Sequence, residues 1–268
     1  MDWTPIPILV ALGCIVGFLA GLLGVGGAMT IIPVLTIVFT REHFPPEHLM
    51  HMAVATSMAT IAFTSISSMR AHHRRGAVLW HVVRGLAPGI LLGSLLGPQI
   101  VAGMSSSALS AAFGVFAGVA AVQMLLDPKP KLTRNLPGSL GLFGVGSGIG
   151  IISSMVGAGG AFISVPFMTA CNVRIHNAVA TSAALGFPIA AAGTTGFIIA
   201  GLRQGGLPPY TLGYVYLPGV AAIVVASMLV APLGVRVAHR WPVAKLRRAF
   251  ACLLVLIAAY MFWRAFSG

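Results

Sequence analysis

Residues 24–28 read Gly-Val-Gly-Gly-Ala and are followed by Pro33. The same pattern returns as Gly-Ala-Gly-Gly-Ala at residues 157–161, followed by Pro166. Glycine allows the backbone to leave helical dihedral angles without a steric penalty from Cβ. The two tracts therefore predict two breaks in otherwise apolar helical segments, placed at matching points of a duplicated chain.

A second motif supports the duplication. Ala-Val-Ala-Thr-Ser occurs at residues 53–57 and again at residues 178–182, downstream of each glycine tract. We therefore predict a first repeat at 1–126 and a second at 139–268. The linker between them, residues 127–138, carries the prolines and charges of an exposed connection.

The composition places the chain in a membrane. Of its residues 57% are hydrophobic and only 7% are charged, against about 25% charged in ordinary soluble domains. Apolar stretches of about 20 residues can span a bilayer, and unpaired sheet edges are too costly in lipid, so the prediction is an all-α polytopic protein. The predicted apolar stretches are 5–40, 50–69, 79–100, 105–126, 139–172, 177–200, 211–233 and 246–265.

The distribution of cations predicts the orientation of the two halves. If each glycine-broken stretch folds back as a hairpin, most Lys and Arg residues share one face, taken as cytoplasmic, and only Arg41, Arg203 and Arg264 lie opposite. If each stretch crosses once, this bias nearly vanishes. We therefore predict two inverted repeats of five helical segments each, with both termini extracytoplasmic. Anionic lipid is an expected partner of the basic cytoplasmic loops.

The paired breaks are also the predicted binding site. In transporters built from inverted repeats, interrupted helices at corresponding positions mark the substrate site near the midplane. The N–H groups at the start of each following half-helix would face an anion. The predicted ligands are Gly24, Gly26, Gly27, Gly157, Gly159 and Gly160. The alternative is that these glycines only let helices pack closely.

Two hydroxyl pairs extend the predicted site: Thr56 with Ser57, and Thr181 with Ser182. Hydroxyls can donate to an oxyanion without adding a fixed charge, although each could instead bond to a carbonyl of its own helix. Two further serines, at 153 and 154, precede the second tract but have no counterpart in the first half, so they are left outside the predicted site.

Two histidines, His51 and His176, occupy equivalent positions ahead of the hydroxyl pairs and are the candidates for proton coupling. Because each lies near the start of its span, a solvated histidine at the membrane interface is the alternative interpretation.

Other residues narrow the class of substrate. None of the four Asp and Glu residues lies deep in a predicted span, which disfavours a cation transporter and favours an anion. No ATP-binding loop, metal-ligand cluster, nucleic-acid motif or convincing catalytic set is found, so we expect no cofactor, no metal, no nucleic-acid partner and no enzymatic activity. A gradient-driven carrier is the prediction, and the oligomeric state stays open.

The duplicated tracts, each followed by Ala-Val-Ala-Thr-Ser, resemble those of the TauE/SafE sulfite exporter family over essentially the whole chain. The resemblance implies an inner-membrane secondary carrier that exports sulfite, thiosulfate or an organosulfonate. The alternatives are a carrier of another small organic anion, such as a carboxylate, and an anion channel.

Overall fold

The computed structural model describes residues 5–23, 28–126, 135–238 and 243–267, and within these ranges the chain forms ten α-helices and one short β-hairpin. The predicted all-α architecture is confirmed. The first half contains α1 (Pro5–Leu23), α2 (Ala28–Arg41), α3 (Pro46–Arg74), α4 (Trp80–Ala102) and α5 (Ser106–Leu126). The second half contains α6 (Ser139–Val156), α7 (Ala161–Ala170), α8 (Ile175–Gly201), α9 (Leu217–Ala238) and α10 (Val243–Ser267).

Six helices of the described chain are long and apolar enough to cross a membrane: α3, α4, α5, α6, α8 and the part of α10 from Arg248 to Ser267. The chain is therefore a multi-pass membrane protein, as predicted. By contrast, α7 has 10 residues and spans about 15 Å, half the thickness of the hydrocarbon core. Such a half-length helix must end inside the protein.

The centre of the molecule is the pair α3 and α8. In α3, 78% of the most apolar 18-residue window is buried, against 33% in α6. Around this pair, α1 packs on α9, α4 packs on α6, and α5 packs on α10. If each helix is replaced by its counterpart in the other half, the pair α1–α9 becomes the pair α6–α4. The pairs α5–α10 and α3–α8 are unchanged by the same exchange. This pattern is consistent with the predicted repeats, whose boundaries and inverted orientation stay predictions.

Glycine brings some of these helices into backbone contact. A Cβ placed on Gly17 of α1 would lie 2.5 Å from the Cα of Ser227 in α9, and one on Gly150 of α6 would lie 2.6 Å from the carbonyl oxygen of Ile90 in α4. No side chain fits at either place. The helix pairs α1–α9 and α4–α6 thus depend on small residues, as membrane helices commonly do.

The predicted span at 211–233 begins too early. Residues Thr211–Leu212 and Val215–Tyr216 form an antiparallel two-stranded ladder, and α9 begins only at Leu217. The turn uses Gly213 with φ +55°, and a Cβ there would lie 2.7 Å from the Cα of Ile198 in α8. Left-handed glycine in a two-residue turn is typical of a β-hairpin. The aromatic and β-branched residues counted as a membrane span therefore form a hairpin docked on α8.

Candidate functional site

The second glycine tract separates α6 from α7, at the predicted position. Gly157 caps the end of α6 with φ +67°, and Gly160 precedes α7 with φ +75°. Both lie in the left-handed region, where an L side chain costs about 1–2 kcal/mol. The first tract, with Gly24, Gly26 and Gly27, lies outside the described residues.

The break leaves backbone donors at the start of α7. The Gly160 carbonyl accepts the first intrahelical hydrogen bonds, from the N–H groups of Ile163 (3.1 Å) and Ser164 (2.9 Å). The N–H groups of Ala161 and Phe162 precede these bonds and are not used by the helix. No side chain of the described residues caps this end. The start of α7 is therefore a place where an acceptor, such as an anion, would be stabilised by N–H groups and by the helix dipole.

The break lies between the two central helices. A Cβ on Gly157 would be 3.0 Å from Val54 Cγ1, and one on Gly159 would be 3.7 Å from Ile61 Cγ2, both side chains of α3. On the other side, a Cβ on Gly160 would collide with Ile189 Cδ1 of α8. The free N–H groups thus lie at the centre of the bundle rather than at a membrane surface.

Two buried hydroxyls near this break have no hydrogen-bond partner among the described residues. Ser57 and Ser153 are both 0% exposed, and neither Oγ atom is paired. Ser153 lies one turn before the break, with its Oγ 3.3 Å from the Cβ position of Gly160. Ser57 shares a helical face with Val54 and Ile61, which contact the break. Both hydroxyls are therefore available to a ligand beside the α7 N-terminus.

Ser182, the second serine of the predicted site, is held in a short chain of hydrogen bonds. Its Oγ lies 2.7 Å from Ser164 Oγ, and the Ser164 hydroxyl also lies 2.9 Å from the Gly160 carbonyl oxygen. Either serine can be the donor in the pair. The chain ties α8 to the first turn of α7 and so fixes the direction of the half-helix.

Thr56 and Thr181, the two threonines of the predicted site, form hydrogen bonds between the halves. Thr56 Oγ1 accepts a hydrogen bond from the Tyr216 N–H at 3.1 Å, just before α9, and Thr181 Oγ1 accepts one from the Leu79 N–H at 3.0 Å, just before α4. Each threonine thus binds a backbone donor at a helix start in the opposite half. Their hydroxyl hydrogens stay available as donors.

The two histidines are in unlike places. His51 is 2% exposed, its Nε2 lies 3.0 Å from the Val101 carbonyl oxygen, and its ring stacks on Tyr214 with centroids 5.3 Å apart. Because a carbonyl only accepts, Nε2 carries a proton, and the lone pair on Nδ1 has no partner in the described part of the chain. Burial raises the pKa of Tyr214, which lies between α8 and α9, so this phenol stays neutral. His176 is exposed at the start of α8.

Sequence reasoning left out Ser153 and missed Ser164. Neither has a polar counterpart in the first half, where Ala20 and Ile31 occupy the equivalent positions. A search for repeated polar residues therefore passes over both. The sequence marks these two serines by their position alone, since each lies within four residues of the second glycine tract.

Within the described part of the chain, six membrane-length helices around a glycine-lined helix break define a polytopic helical membrane protein with a polar centre. The family model for the sulfite exporter TauE/SafE matches residues 9–261. The chain belongs to this family of membrane transporters, and the resemblance of its motifs is confirmed.

Relatives of similar length are also named as membrane transporters. A probable membrane transporter protein of Haemophilus influenzae is 34% identical over 262 residues, which cover 97% of this chain and 99% of the relative. A probable membrane transporter protein of Methanocaldococcus jannaschii is 24% identical over 266 residues, covering 96% and 95%. No solved structure matches the chain significantly.

Proposed function

We propose that the chain is a secondary transporter that exports a small sulfur-containing oxyanion, namely sulfite, thiosulfate or an organosulfonate. The observation that carries the proposal is the pair of fully buried hydroxyls of Ser57 and Ser153, which have no partner among the described residues, beside the N–H groups at the start of α7. The name of the family supplies the class of anion. The second hydroxyl pair, with Thr181 and Ser182, lies on the neighbouring helix α8.

These groups suit reversible binding of an oxyanion. Several oxygens of one anion can accept hydrogen bonds from N–H and O–H donors that carry no full charge, so binding requires no buried salt bridge. The described carboxylates Glu42 and Glu47 lie in the loop before α3 and in its first turn, away from the break. The first glycine tract, with Gly24, Gly26 and Gly27, would complete the site from the other half.

For proton coupling we propose His51 rather than His176. A buried imidazole with one free lone pair can gain and lose a proton as the helices around it rearrange, whereas His176 is exposed at the start of α8. We place the protein in the bacterial inner membrane, with both termini extracytoplasmic and inverted halves. Its basic cytoplasmic loops then face anionic lipid.

The test is flux in proteoliposomes. Sulfite, thiosulfate and sulfoacetate are supplied with and without an inward-acid pH gradient, and acetate serves as the carboxylate control. Selective, gradient-dependent uptake of a sulfur anion supports the proposal. Equal flux of acetate would favour a general carboxylate carrier, flux far above carrier rates would favour a channel, and no flux of any sulfur anion would overturn the substrate class.

A further inference from the structure

A second group of polar and cationic side chains lies away from the helix break. A cavity of about 580 Å³ opens where the end of α2, the starts of α3 and α5, and the end of α10 meet. Its polar lining includes Thr40, Arg41, Glu47, Ser105, Ser107 and Arg264, and we name it the arginine cavity. None of the residues that form the central break lines it.

The two arginines are the main feature of this cavity. Arg41, Arg203 and Arg264 are the three cations that the predicted orientation places on the extracytoplasmic side, and two of them line this cavity together with the carboxylate of Glu47. Arg264 donates hydrogen bonds to the Thr36 carbonyl (3.3 Å) and to Thr40 Oγ1 (3.2 Å), which hold its guanidinium in place. Neither arginine forms an ion pair with any described residue. Among the described lining residues, Glu47 is the one carboxylate.

The guanidinium of Arg41 has no hydrogen-bond partner among the described residues and is exposed. A guanidinium offers five donors in a planar fork that matches two oxygens of a sulfonate, sulfite or phosphate group. Arg41 can turn toward such a group without giving up a hydrogen bond to a described residue. Arg264 supplies a second, fixed cation on the other side of the cavity.

The start of α5 adds backbone donors. Ser105 Oγ accepts a hydrogen bond from the Ala108 N–H at 3.2 Å, and the Ser105 carbonyl accepts one from the Leu109 N–H. The N–H groups of Ser106 and Ser107 precede these bonds, and the Ser105 hydroxyl keeps its hydrogen to donate. The positive end of the α5 dipole thus points to the same space as both arginines.

We infer that the arginine cavity is a second oxyanion-binding site, in which Arg41, Arg264 and the N-terminus of α5 hold one sulfite-, sulfonate- or phosphate-type group. Two kinds of molecule could supply such a group: a free anion on its way to or from the carrier, and an anionic lipid with its phosphate. Tyr260 and Trp263 also line the cavity, as aromatic residues do where a protein meets lipid headgroups. The experiment separates these sources.

Binding is followed by the fluorescence of Trp263, with the other tryptophans replaced by phenylalanine. One arm titrates sulfite and inorganic phosphate into protein in neutral, lipid-free detergent. The other arm compares nanodiscs of phosphatidylcholine with nanodiscs that also contain phosphatidylglycerol. Arg41→Gln is the test variant, Arg264→Gln is the second variant, and Arg203→Gln is the matched control, because Arg203 is an exposed arginine outside the cavity.

We expect Arg41→Gln to weaken binding about tenfold or more in at least one arm, as loss of a charge-assisted hydrogen bond should. A loss in the detergent arm identifies a free anion, and a loss only in nanodiscs identifies lipid. Because the Arg41 side chain makes no hydrogen bond or ion pair with any described residue, its variant should elute and unfold like wild type. If Trp263 fluorescence does not respond in either arm, the inference is overturned. Equal binding by Arg41→Gln and Arg203→Gln would overturn it as well.

Discussion

Replacing the unpartnered serines should make the protein more stable and a poorer anion binder. In Ser57→Ala and Ser153→Ala the change removes one hydroxyl that is 0% exposed and has no partner in the described structure. An unsatisfied buried hydroxyl costs about 1–3 kcal/mol. Removal of one oxygen atom leaves a small void worth about 0.3 kcal/mol. The net expectation is a gain of about 1–3 kcal/mol in the free energy of unfolding without ligand.

The same hydroxyls should stabilise the bound anion. A hydrogen bond to a charged group contributes about 1.5–3 kcal/mol, so each variant should bind the anion about tenfold to a hundredfold more weakly. The assay is thermal unfolding of purified protein in detergent, with and without the anion that proteoliposome flux identifies. Each variant should unfold at about 2–6 °C higher than wild type without the anion, and the added anion should raise its unfolding temperature less.

The matched control is Ser227→Ala in α9, which removes a buried hydroxyl that donates to the Val224 carbonyl at 3.1 Å. This variant should bind the anion like wild type and gain no stability. If Ser57→Ala and Ser153→Ala retain full affinity and unfold like the control, the two hydroxyls are not ligands, and the reasoning from orphaned polar groups fails.

Three further changes test other parts of the site. Gly160→Ala should lower the free energy of unfolding by about 2 kcal/mol, because φ is +75°, whereas Gly159→Ala, whose Cβ would only touch a side chain at 3.7 Å, should unfold like wild type. Thr181→Val should leave the Leu79 N–H at the start of α4 unpaired, which lowers the free energy of unfolding by about 1–3 kcal/mol. Hydrogen exchange at that amide should become faster. His51→Gln should remove the dependence of flux on the pH gradient, and His176→Gln should retain it; the opposite result would refute the assignment.

The fold was predictable because it depends on features that hydropathy reports directly. Segment length, apolar character and the paired glycine tracts predict ten helical segments and the break at residues 157–160. The start of α9 was missed because residues 211–216 carry no charge and include leucine, valine and two tyrosines, so nothing in their composition interrupts the apolar stretch that follows. Their hairpin depends on the left-handed Gly213 and on contact with Ile198 of α8. Contacts of this kind, between residues distant in the chain, leave no periodic signal.

The repeated threonines and the unrepeated serines differ for a physical reason. In a protein with two similar halves, a residue that holds the halves together is needed in both, and Thr56 and Thr181 make the same kind of hydrogen bond across them. A ligand between the halves is under no such requirement. Sulfite, thiosulfate and organosulfonates all lack a two-fold axis, so the two halves meet different faces of any one of them. Ligating groups therefore need not be the same in the two halves. Ser153 stands where the first half has Ala20, and Ser57 has no partner in the described structure whereas its counterpart Ser182 is paired with Ser164. Comparison of the chain with itself thus finds the shared frame more readily than the site.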